Sequence, residues 1–96
     1  MLRNDPLNVP VMLKLAKYEG QMARWGEMKR NAKSAVDLQP QNAEARMRLA
    51  EACLGNGPDE YPEALENAKL AVQYDPNNVD TYLVLARVQM ARQQPE

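Results

Sequence analysis

The sequence predicts an all-α fold made of stacked helical hairpins, two complete and followed by one further helix. Three observations predict it. First, a proline–asparagine punctuation recurs: DPLN at Asp5–Asn8, QPQN at Gln39–Asn42 and DPNN at Asp75–Asn78. Pro6 and Pro40 lie 34 residues apart, and Pro40 and Pro76 lie 36 apart. Second, small residues keep the same steps, with Ala16 to Ala50 at 34 and Ala50 to Ala86 at 36. Two residue types agreeing on one spacing mark an internal repeat. Third, the apolar content is carried by Ala and Leu rather than by β-branched and aromatic residues, with no Phe in the chain. That composition favours helix over strand.

Each element follows in order. Val9–Gln21 places Met12, Leu13, Leu15 and Ala16 at helical spacing. A glycine and a charged stretch interrupt it. Glu27–Leu38 carries Met28, Ala32, Ala35, Val36 and Leu38 on one stripe. Glu44–Leu54 carries Met47, Leu49, Ala50 and Cys53. Tyr61–Tyr74 carries Ala64, Leu65, Ala68, Ala71 and Val72. Asp80–Arg92 is the last helix. Proline lacks an N–H and steers the preceding residue out of helical geometry, so Gln39-Pro40 and Asp75-Pro76 end helices. Asn42 and Asn78 then stand where a side-chain oxygen caps the next helix. Pro62 sits where its missing donor costs nothing. The two extra residues of the second unit fall in its turn, Gly55–Glu60.

The repeat resembles the tetratricopeptide family. Its first-helix pattern reads Met12, Leu15, Ala16, Glu19; then Arg46, Leu49, Ala50, Cys53; then Tyr82, Leu85, Ala86, Gln89. Its second-helix small residues match Ala32 and Ala35, then Ala64, Ala68 and Ala71, and the opening aromatic matches Trp25 and Tyr61. Arg46 and Met28 depart from the pattern. Pentatricopeptide and Sel1-like units have similar lengths but fit the proline–asparagine punctuation less well. The resemblance implies a right-handed α-α superhelix forming a single domain over 1–96. Its parts would be residues 1–8 as the tail of a preceding repeat, 9–42 and 43–78 as repeats, and 79–96 as the first helix of a third. The chain is therefore expected to be a piece of a longer array, whose units contact only their neighbours.

Catalytic chemistry has little to build on. The chain has no His and one cysteine, Cys53, so it holds neither a His-containing metal set nor a Cys–His pair. Asp59, Glu60, Glu63 and Glu66 suggest a weak cation site, but three of them are read as favouring a helix N-terminus instead. The sequence thus predicts no enzyme activity, no cofactor and no metal. Net charge is −1, and no aromatic interleaving suits nucleic acid. No apolar run reaches the ~20 residues of a membrane span. The expected partner is a protein or peptide. No targeting segment is read, so the compartment is left open. Residues 9–42 carry a net +3 and residues 43–78 a net −4. A solvated outer face accounts for this; the alternative is that Lys29, Arg30 and Lys33 touch an acidic partner.

The resemblance also implies a ligand groove lined by first helices. Carried over residue by residue, it comprises Leu13, Lys17 and Gln21; Glu44, Met47, Glu51 and Leu54; and Asp80, Leu83, Arg87 and Met90. Its apolar floor would be Leu13, Met47, Leu54, Leu83 and Met90. The alternative is that part of this set packs on a neighbouring repeat. The family's clamp for acidic chaperone tails is not expected, because its positions hold Leu13, Lys17, Arg48, Asp80 and Val84. Residues 79–92 are apolar nearly all round, which predicts pairing with a second copy or packing on further repeats, the role of a structural spacer.

Overall fold

The computed structural model describes residues 8–93, which form five α-helices with no strand among them. They are α1 Val9–Gln21, α2 Trp25–Leu38, α3 Ala43–Asn56, α4 Tyr61–Tyr74 and α5 Val79–Gln93. The expected bounds hold to within two residues at either end of each helix. Helices α1, α3 and α5 start 34 and 36 residues apart, the steps already set by the prolines. The expected tail of a preceding repeat falls, apart from Asn8, on residues outside those described, and so does Pro95-Glu96.

Caps fix where the helices begin. Asn8 and Asn42 each accept a hydrogen bond through Oδ1, from Val11 N at 3.2 Å and from Ala45 N at 3.0 Å. Asn78 Oδ1 accepts from Asp80 N at 2.8 Å. Each bond satisfies an N–H that the helix cannot. The α1–α2 turn is closed by a different device. Ala23 adopts φ 58°, Arg24 N donates to Glu19 O at 2.8 Å, and Ala23 N donates to Gly20 O at 3.1 Å. This pair of bonds is a Schellman closure, with alanine in the left-handed position where glycine is favoured. Gly20 lies inside α1, as the expected bounds have it, where Met28 Cε would stand 2.9 Å from an added Cβ. In the α3–α4 connection Gly57 takes φ 117° and leads into one 3-10 turn, Pro58–Glu60.

Each helix packs on the next, and α3 also touches both α1 and α5. Short connections return the chain after every helix, and the molecule measures 48 × 27 × 18 Å. The core runs along the stack. Ala16, Ala32, Ala35, Ala50, Ala64, Ala68 and Ala71 are fully buried, which lets the helices approach closely. Ala86, the third in the small-residue series, is exposed. No further helix covers it among the described residues.

Arg46 stands where the repeat pattern expects a large apolar residue and has its own work. Its Nε donates to Pro40 O at 2.9 Å and its Nη1 to Asn67 Oδ1 at 2.9 Å. Asn67 is buried and donates on to Glu63 O at 2.9 Å. The arginine thereby ties the preceding turn to α4.

Candidate functional site

Helices α1, α2, α3 and α5 enclose a cleft of about 440 Å³. Helix α1 contributes Lys17, Gly20 and Gln21; α2 contributes Trp25 and Met28; α3 contributes Arg48, Glu51, Leu54 and Gly55; α5 contributes Arg87. The floor is apolar and the rim charged. Trp25 lies flat enough on Gly55 that a Cβ there would collide with its indole ring. The absence of a side chain at position 55 therefore sets where the indole sits.

The rim is organised around one carboxylate. Glu51 Oε1 accepts from Arg48 Nη1 at 3.0 Å, and Glu51 Oε2 accepts from Arg87 Nη2 at 3.2 Å. Arg48 Nη2 also approaches Glu44 Oε2 at 3.6 Å. Glu51 thus joins α3 to α5. Arg48 is mostly buried, and its Nε has no hydrogen-bond partner. Lys17 is exposed at the same rim, with no ion-pair partner among the described residues. Lys17, Arg48 and Arg87 stand against two carboxylates, Glu51 and Glu44, which leaves the rim positive by one charge. A smaller cleft of about 310 Å³ shares Lys17 and Arg48 with it, between α1 and α3, lined by Pro10, Leu13, Lys14, Lys17, Tyr18, Glu44 and Arg48.

Five of the expected groove residues meet in the main cleft: Lys17, Gln21, Glu51, Leu54 and Arg87. Glu44 joins through Arg48. The apolar floor needs correction. Leu13 and Met47 are each only 4% exposed and belong to the core shared with Ala50 and Val84; neither lines the main cleft, and Leu13 borders the smaller one. Asp80, Leu83 and Met90 are exposed on α5 and do not line the cleft. Trp25 and Met28 were not expected there, and Arg48 was named only as a position of the clamp that was not expected. One signal for them was in the sequence: Gly20 and Gly55 stand 35 residues apart near the ends of matching helices, where missing side chains leave room for the chain's single tryptophan.

Lys29, one of the three cations of the alternative acidic-partner reading, donates within the chain to Glu60 Oε1 at 3.0 Å and Glu63 Oε1 at 3.2 Å. The bond to Glu60 raises the Lys29 pKa, while bonds from Asn56 and Lys29 lower that of Glu60. Cys53, Glu60 and Glu63 bring three donor atoms within 4.8 Å of one another. The Lys29 ammonium already stands against both carboxylates. Burial, with Glu63 nearby, pushes the Cys53 thiol up to about 12. The cluster is a charge network joining α2 to the start of α4, beside a protonated thiol.

No protein-family model matches the chain, and no curated protein matches it.

Proposed function

We propose that the chain is a tetratricopeptide-like stack, a right-handed α-α superhelix, acting as a non-catalytic protein-interaction module. Its concave side takes a peptide or the face of a helix as part of a larger protein or assembly. The observation that carries this reading is the cleft bounded by Lys17, Trp25, Leu54 and Arg87. It combines an aromatic floor with a positive rim, the make-up of a peptide groove rather than of a reactive centre. The repeated 34- and 36-residue steps and the fully buried alanines support the superhelical assignment.

A displayed random-peptide library panned on the chain tests the reading. Enriched peptides should shift the emission of Trp25, the chain's one tryptophan. Lys17 and Gln21 are exposed, so the double change Lys17→Glu, Gln21→Glu keeps the helices intact. It should weaken the selected peptides by about tenfold or more. Binding that is indifferent to the double change, with helicity retained, contradicts the groove.

A further inference from the structure

We propose that α5 pairs with α5 of a second copy, antiparallel about a two-fold axis near Leu83. The proposal does not depend on the groove reading, although both use Arg87. Helix α5 exposes Val79, Leu83, Ala86 and Met90, with Val79 and Ala86 seven residues apart and Leu83 and Met90 likewise. Seven residues are nearly two helical turns, so these four form one stripe ~17 Å long at 1.5 Å per residue. Val79 is 69%, Leu83 54% and Met90 58% exposed, a large apolar surface with no cover among the described residues.

The charges beside the stripe name the occupant. Asp80 and Arg87 are also seven apart, so they flank the same edge with opposite signs. In an antiparallel two-fold pair, residues on one edge of a helix face the same edge of its partner. Centred midway between positions 80 and 87, Asp80 of each copy then meets Arg87 of the other, and Leu83 meets its own counterpart. A parallel pair would instead set this edge against the opposite edge of the partner, where Tyr82 and Gln89 offer Asp80 and Arg87 no charge. Arg87 engages Glu51 through Nη2 alone, and a guanidinium carries further donors for Asp80. The exposed stripe of α1, formed by Val11, Leu15, Tyr18 and Met22, lacks this complementarity. There Lys14 and Gln21 share an edge seven residues apart. A self-complementary patch closes as a two-fold dimer.

Sedimentation velocity from micromolar to millimolar protein tests the pairing, with circular dichroism to verify folding. Wild type should dimerise. Asp80→Arg and Arg87→Asp should each weaken the dimer about tenfold or more, by setting like charges face to face. Mixed in equal amounts, the two variants should form a heterodimer, and the double variant should dimerise again. Leu83→Glu, which charges the axis, should be monomeric. A wild type that stays monomeric at millimolar concentration overturns the proposal. So does a dimer that survives both single charge changes, which would assign association to another face.

Discussion

Single positions carry two devices whose removal has opposite signs. Gly55 leaves room for the Trp25 indole. Gly55→Ala should force the ring out, cost about 1–3 kcal/mol through overpacking, and red-shift tryptophan emission in a denaturant titration. Ala23 sits at φ 58°, a conformation that disfavours a Cβ by about 1–2 kcal/mol. Ala23→Gly should therefore stabilise the chain by about 1 kcal/mol, read as a higher denaturation midpoint with an unchanged slope. The ionisable groups set the pH window. Glu60 has a lowered pKa, so its contribution is present above its ordinary value of 4.5 and is lost as pH falls below it. Cys53 is raised from 9.0 to about 12, so the folded state holds its proton more tightly. Stability from that thiol is intact below pH 9 and is lost as pH rises toward 12. Thermal melts should show a plateau through neutrality with falls on both sides. Cys53→Ala should remove part of the alkaline fall and leave most of the acid one, because Asn56 and Lys29 lower the Glu60 pKa more than Cys53 does.

At the scale of the helix, boundaries were legible because the chemistry that ends a helix is local. Pro40 and Pro76 stop the preceding helices, and Asn42 and Asn78 cap the next ones. Asn42→Ala should cost about 1 kcal/mol in chemical denaturation. The orientation of side chains around a helix was less legible, because it depends on which neighbours are present. Leu15 and Leu49 hold the same repeat position, yet Leu15 is 47% exposed and Leu49 is buried. Helix α3 has α2 and α4 on either side, whereas α1 has no helix before it among the described residues. The same asymmetry places Ala50 in the core and leaves Ala86 exposed. Arg46 shows the limit of a pattern. A charged residue at an apolar position resembles decay of the repeat, and its three-dimensional partners, Pro40 O and Asn67, are invisible in one dimension. Arg46→Ala should leave Asn67 Oδ1 buried without its donor and cost about 1–3 kcal/mol.

Across the whole molecule, α3 holds the stack together. It alone among the described helices packs against all four others. In a stack whose elements contact only near neighbours, stability concentrates where contacts are shared and the ends open first. The candidate site is built across that same centre, since Arg48, Glu51 and Leu54 of α3 form its middle. Five of its residues could be carried over from the repeat frame, because a repeat fixes which helix face looks inward. Trp25 could not, because its position depends on the glycine at 55, and the pairing of Arg48 could not, because it uses a carboxylate shared between α3 and α5. The most direct measurement is amide chemical-shift mapping of the isotope-labelled chain titrated with a library-selected peptide. The groove account predicts the largest perturbations at the Trp25 indole N–H and at the amides of Lys17, Gln21, Glu51, Leu54 and Arg87. Perturbations confined to the outward residues of α2 and α4, such as Arg30, Lys33, Glu66 and Lys69, would contradict it.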